Sequence, residues 1–204
     1  MSPAPANWDE VAPVLDDGWI LHLGVVGGDG LATSLPMLYV RDGNDLLLHG
    51  GVGNATLRSV LETGRASGTV TLVDALIVAR SAFQSSLAYR SVVVTGAVTV
   101  VDDGEKAAAL ERVTEGLLAG RAREARPMTT GEIRATVVLR LTVEDAVLRV
   151  SSPVVEDVPS DHGGPQWAGV IPIDVVAGLP VTAHDVVPTT PVPPSVRSWR
   201  PPRG

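Results

Sequence analysis

Two Asp-Gly turns set between apolar runs limit the folds open to this chain. Gly27-Gly-Asp-Gly30 separates Trp19–Val26 from Leu31–Arg41, and Arg41-Asp-Gly-Asn44 separates the latter from Leu46–His49. Asp-Gly pairs supply the positive φ of tight hairpin connections, so these three runs are expected to form an antiparallel meander. Further strands are expected at Gly68–Arg80, Arg90–Val101, Thr136–Val143 and Ala146–Val150, the last two joined by a hairpin at Glu144-Asp145. Gly96, inside the run Val92–Val101, marks the place where a barrel strand bends or bulges. Aromatic residues make up only 3% of the chain, which leaves an aliphatic core whose β-branched side chains favour strands.

Helices frame the strands. Asn54 as cap and Gly64 as stop bound a helix near 54–63 that carries Leu57, Val60 and Leu61 on one side. Asp102 and Glu105 have capping-box spacing at the head of a helix over 102–120, which Gly120 ends. Shorter helices are expected at Trp8–Leu15, despite Pro13, and at Thr130–Ala135. The chain thus divides into an N-terminal arm or short helix over 1–16, one domain over 17–176 and a proline-rich tail over 177–204. From Val187 onward prolines leave few donors for a ladder, so the tail is expected to be extended or disordered, with Trp199 as a pin.

The segment Leu46-Leu-Leu-His-Gly-Gly-Val-Gly-Asn54 runs from an apolar strand through glycines into an amphipathic helix. Bare backbone at Gly50, Gly51 and Gly53, together with unpaired N–H groups opening the helix, forms a seat for an anion such as phosphate. The same residues also read as an ordinary glycine-rich strand-to-helix turn. The dinucleotide fingerprint is not met, because the third glycine is missing and the strand belongs to a meander.

Other chemistry is limited by composition. A formal charge of −7 argues against nucleic-acid or anionic-membrane surfaces, and Arg121, Arg123 and Arg126 read as a solvated loop. There is no cysteine, hence no disulfide, thiolate site or cysteine nucleophile. No run approaches the ~18 apolar residues of a membrane span, and no basic-then-apolar leader opens the chain, so a soluble, cytoplasmic protein is expected. His22, His49, His162 and His184 stand apart, without a metalloprotease pair or a nucleophile elbow, and no metal is expected. His22, in an apolar strand, reads as a hydrogen-bonded wall residue.

In order and spacing, Ser34-Leu-Pro-Met-Leu-Tyr-Val-Arg-Asp-Gly43, Leu47-Leu-His-Gly50, Leu76-Ile-Val-Ala-Arg-Ser-Ala-Phe83, Tyr89-Arg-Ser-Val-Val-Val-Thr-Gly96 and Trp167-Ala-Gly-Val-Ile-Pro172 carry a family likeness. They resemble the FMN-binding split barrels related to pyridoxamine 5′-phosphate oxidase, near the nitroimidazole-reductase-like bacterial branch. The resemblance spans Trp8 to Val176. It implies a mainly β (α+β) fold, an antiparallel split β-barrel with peripheral helices, assembled as a homodimer with FMN in the grooves between subunits. It further implies that Pro36, Met37, Leu38 and Tyr39 flank the flavin ring, that His49 and Gly50 open the phosphate turn, that Asn54 offers a hydrogen bond, and that Tyr89, Arg90 and Ser91 line the same groove.

The chain departs from this pattern in two places. Where relatives carry a hydroxyl and a cation it has Gly51 and Ala55, and Arg58, one helical turn on, is expected to supply the missing charge. The segment Phe83-Gln-Ser-Ser-Leu-Ala-Tyr89 lacks the relatives' His-His pair and Asn. The implied function is flavin-dependent redox chemistry on a small organic substrate. The alternatives are a flavin-free descendant that binds or transforms another small molecule, such as a biosynthetic intermediate or heme, and a flavin store or sensor.

Overall fold

A computed structural model of the protein describes residues 7–27 and 30–202. The elements are α1 (Trp8–Asp17), β1 (Ile20–Val26), β2 (Ala32–Asp42), β3 (Asp45–Gly51), α2 (Ala55–Thr63), β4 (Arg65–Val78), β5 (Ser86–Val100), α3 (Asp103–Leu117), α4 (Arg121–Glu124), α5 (Thr130–Ala135), β6 (Thr136–Ser151), β7 (Gly169–Pro172) and α6 (Pro194–Ser198). The expected meander forms: β1 pairs with β2 and β2 with β3, all antiparallel. Gly43, at φ +66°, makes the second turn possible. Of the first turn, residues 28 and 29 lie outside the described residues, and Gly30 has φ +80°.

The sheet closes on itself. Its order is β1-β2-β3-β6-β5-β4, and β4 pairs back to β1 through His22↔Thr69, so six strands form an antiparallel barrel. The far half of β4 leaves the barrel to pair with β7. Alternation along each strand sends Leu21, Leu23, Leu46, Leu48, Val70, Val92, Val94, Leu139 and Leu141 inward to one aliphatic core. α1 contributes Val11, Val14 and Leu15 to that core, and α2 contributes Leu57 and Val60. Burial of each such Leu or Val stabilises the fold by about 1.5–3 kcal/mol. A second cluster packs Ala109, Leu110 and Val113 of α3 against Leu47 and Val138.

Several expectations are corrected. Thr136–Val143 and Ala146–Val150 are not two strands joined at Glu144-Asp145 but one continuous β6. Opposite β5 the register moves from Thr95↔Asp145 to Gly96↔Val143, leaving Glu144 as an extra, bulged residue. A Cβ on Gly96 would lie 1.8 Å from the Thr142 carbonyl oxygen, so the bend expected at Gly96 is there, and its bulged residue lies on the partner strand. α3 ends at Leu117, its Asp102 side chain makes no cap, and Asp103 pairs with buried Lys106 at 2.7 Å. Asn54 and Gly64 do bound α2, Gly64 with φ +65°. The tail is not uniformly extended, since α6 forms and Trp199 docks on α3. α4 gives the arginine-rich stretch a short helix, with Arg126 tied to Glu132.

Candidate functional site

α1 and α2 seal the barrel and α3 covers β2, β3 and β6, which leaves the outer face of β1, β4 and β5 uncovered. Cross-strand register lays two rows of side chains over that face. One runs Pro36, His22, Thr69, Val93, Val147 from β2 through β1, β4 and β5 to β6, and the other contains Thr71, Ser91 and Arg149. The first row spans four interstrand gaps, about 19 Å. Thr71 Oγ1 lies 3.3 Å from Ser91 Oγ, and Arg149 makes no ion pair among the described residues. Ile20, Val26 and Val93 are 44%, 54% and 39% exposed on the same face.

His22 belongs to this face. It is exposed and makes no hydrogen bond among the described residues, which corrects its reading as a hydrogen-bonded wall residue. Its ring borders a groove of about 200 Å³, lined also by Ile20, Thr71, Leu72, Val175 and Pro201. The sequence signal that could have placed it outward was the alternation Leu21, Leu23, Val25, all buried, against His22 between them. Arg149 and Thr71 likewise fall on this face only once the strand register is known.

The residues expected at the site do not all meet in one chain. Along β2, Pro36 and Leu38 face outward, whereas Met37 and Tyr39 point into the core. The Tyr39 hydroxyl donates to the Leu15 carbonyl, and burial followed by Asp16 and Asp17 holds its ionisation far above the ordinary tyrosine range. Arg90 donates to Asp74 at 3.0 Å and to Asp17 at 3.2 Å, so its charge is neutralised beside the C-terminus of α1. Asp74 is the extra residue of a bulge between Val73 and Ala75, which aims it at Arg90. Tyr89 and Ser91 occupy the outer side of the same strand.

The glycine corner lies at the barrel end closed by α2, the other end from Arg90. Most of its amides are not unpaired as expected: Asn54 Oδ1 accepts from Thr56 and Leu57, and the amides of Val52, Asn54 and Arg58 donate to Ala135, Gly51 and Asn54 carbonyls, which leaves the amides of Gly53 and Ala55 without a partner among the described residues. A Cβ on Gly50 would meet the end of the Leu57 side chain at 2.7 Å, so that side chain would have to shift to admit one. Gly51 and Gly53 have open space and ordinary φ, so nothing among the described residues demands glycine at either. Arg58 is exposed and makes no ion pair among the described residues. His49 is half-buried, with Nδ1 enclosed and lacking a partner among the described residues, and burial lowers its pKa below the ordinary histidine value.

Comparison with known proteins supplies a frame for these observations. A family model described as pyridoxamine 5′-phosphate oxidase matches residues 7–150. The FAD and heme binding protein of Mycobacterium smegmatis is 33% identical over 100% of both chains, with a TM-score of 0.92. The flavocytochrome Anf3 of Azotobacter vinelandii is 30% identical, with 95% of this chain and 90% of that chain covered and a TM-score of 0.89. A 5-nitroimidazole antibiotic resistance protein from Bacteroides thetaiotaomicron shares the fold at 16% identity, over 70% of this chain and 82% of its own, with a TM-score of 0.57. No curated protein matches the chain. Among the described residues no helix is long and apolar enough to cross a membrane.

Proposed function

Because the chain belongs to the pyridoxamine 5′-phosphate oxidase family of split barrels, we propose that it is a flavin-binding redox protein whose cofactor groove is completed by a second copy of the chain, with heme as a second group. The observation that carries this reading is the likeness over nearly the whole chain to two proteins described as binding FAD and heme and as a flavocytochrome. The uncovered face supports pairing, since Ile20, Val26 and Val93 gain by leaving water. Pairing also offers a way for the α2 corner of one copy and the Thr71–Ser91–Arg149 row of the other to serve one ligand.

The residues fit a flavin at two points. Gly51 and Gly53 leave bare backbone that the fold itself does not need, and Arg58 stands one turn into α2 as a cation without an ion-pair partner among the described residues. They fit FAD better than FMN. The terminal phosphate of FMN is a dianion, whereas Asn54 already takes the amides of Thr56 and Leu57 and, among the described residues of the corner, Arg58 alone offers charge. The diester phosphates of FAD carry less charge each, and its adenine half adds contact area.

A bound flavin supplies hydride and electron transfer, and a heme supplies one-electron exchange. The protein's part is placement. Thr71 and Ser91 offer hydroxyls to ring heteroatoms, Arg149 and Arg58 offer charge to anionic parts, and Ile20 and Leu72 keep water from the groove. His22 offers an imidazole nitrogen to a heme iron. The redox partner is then a small organic molecule able to enter the groove.

Purified protein is expected to show flavin absorption together with a Soret band, and acid extraction is expected to release FAD. A Soret band with no flavin would favour a flavin-free descendant, and a spectrum with neither, unchanged by added FAD and hemin, would refute both. Arg58→Ala is expected to weaken FAD binding by roughly 10–100-fold, the loss of one charge-assisted contact of ~1.5–3 kcal/mol. Arg65→Ala, which removes only a surface pair with Glu144, is expected to change it less than about twofold. Equal effects in a fluorescence titration would remove Arg58 from the site.

A further inference from the structure

Beyond β7 the chain makes a long excursion away from its own barrel. From Val176 to Pro191 every residue is exposed, with Val176, Leu179 and Val181 83%, 93% and 95% open to water. Among the described residues its backbone hydrogen bonds are two local turns, the Val186 amide to the Ala183 carbonyl and the Thr190 amide to the Val187 carbonyl. Disordered linkers are poor in aliphatic residues and rich in charge, whereas this segment holds three valines and a leucine besides Val176, and Asp185 is its one acidic group. Both ends are held. The Ile173 amide donates to the Asp74 carbonyl, and Ser195 donates to Glu124. Val175 and Pro201, on either side of the excursion, line the same groove beside His22, so the chain leaves the uncovered face of the barrel and comes back to it.

A second apolar strip lies at the end of that face. Leu76 stands opposite Leu87 on β5 and Ile171 on β7, and all three side chains are exposed. Leu87 follows Val93, Ser91 and Tyr89 at every second residue of β5, which places the strip on the same outer side. The other side of these strands is covered, with Ala75, Ile77 and Ala88 buried against Val155 and Val170.

We propose that Val176–Pro191 is an arm that lies on a second copy of the chain, each arm covering the Ile171–Leu76–Leu87 strip of the other copy. The proposal rests on the pairing in the proposed function and says how the pair is fastened. The occupant is a second copy because the arm is rooted on the face through which two copies meet, so a copy docked there stands beside it. Sixteen residues extend to at most ~55 Å, so a loop held at both ends projects up to about 25 Å, farther than the ~10 Å between packed sheets, and reaches past the interface. A two-fold axis then sets arm on strip and strip on arm, and each aliphatic side chain taken from water counts twice. Residues 176–191 lie beyond the segment that the family model matches, so the arm is an addition to the split barrel.

The test compares the full-length protein with the double variant Leu179→Asp/Val181→Asp and with Leu87→Asp, dimerisation being followed by sedimentation over a concentration series. All three positions are exposed in the single chain, so each variant is expected to melt where the dissociated wild-type chain does. The double variant is expected to raise the dimer Kd about 100-fold or more, since each substitution acts twice in a symmetric pair, and Leu87→Asp about tenfold or more. Elastase, which cuts after small aliphatic residues, is expected to spare Val176–Val187 well above the Kd and to cut there on dilution below it. A double variant that dimerises like the wild type, with elastase cutting alike at all concentrations, would overturn the arm and leave pairing through the barrel face intact. A dimer weakened by Leu87→Asp alone would also overturn it. A wild-type chain that stays monomeric would overturn both, and sedimentation of that monomer with phosphatidylglycerol vesicles would give the arm to a lipid surface.

Discussion

Gly96→Ala is expected to lower stability by roughly 3 kcal/mol or more, about 6–12 °C in melting temperature for a chain of this size. The cause is backbone against backbone. A Cβ at this position would sit 1.8 Å from the Thr142 carbonyl oxygen and 3.2 Å from the Glu144 amide nitrogen, and neither atom can rotate aside as a side chain could. The β5–β6 ladder would have to part at the Glu144 bulge, which carries the register linking Ala97↔Thr142 on one side to Thr95↔Asp145 on the other. Gly51→Ala is the control, since a Cβ there meets nothing within 4 Å and its stability cost is expected to stay within about 0.5 kcal/mol. Denaturant titrations of both variants decide the matter. A Gly96→Ala protein as stable as Gly51→Ala would mean that the bulge relaxes freely and does not fix the barrel's register.

The contrast between these glycines marks how far sequence reasoning reaches. Gly96 was legible as a bend because a glycine in a long β-branched run weakens the strand unless the backbone bends or is closely approached there. The Asp-Gly turns, the Asn54 cap and the Gly64 stop were legible for the same reason, each being a local backbone demand that a particular residue type meets. The Glu144-Asp145 pair misled because a polar pair between two apolar runs suits a bulge as well as a hairpin, and only the partner strand distinguishes them. The site was less legible, because it depends on which face each side chain takes. Pro36 and Met37 are neighbours in sequence yet lie on opposite sides of the barrel wall. Arg90 looked available until the Asp74 bulge and the end of α1 brought two carboxylates to it. Arg149 was invisible as a partner of Ser91 because they are cross-strand neighbours far apart along the chain.

His22→Ala is expected to abolish the Soret band of the purified protein while leaving its flavin absorption in place. Four histidines compete for the role of heme ligand, and their surroundings separate them. His162 and His184 are exposed in irregular segments and do not line the groove. His49 is half-buried with Nδ1 enclosed, on the same side of β3 as Leu47, which packs against α3. His22 alone among them projects from a barrel strand, paired on both sides, into a groove with apolar walls. A strand held by two ladders fixes the ring's direction, and a dry wall strengthens a bond between imidazole and iron by excluding competing water. Mutating groups that only orient a metal ligand costs about 10–100-fold in affinity, so removing the ligand itself is expected to weaken hemin binding by more than roughly a hundredfold. Hemin titrations of His22→Ala, His49→Ala, His162→Ala and His184→Ala give the answer, with flavin content measured on the same samples. A Soret band that survives in His22→Ala and vanishes in His49→Ala would move the heme to the α3 flank of the barrel.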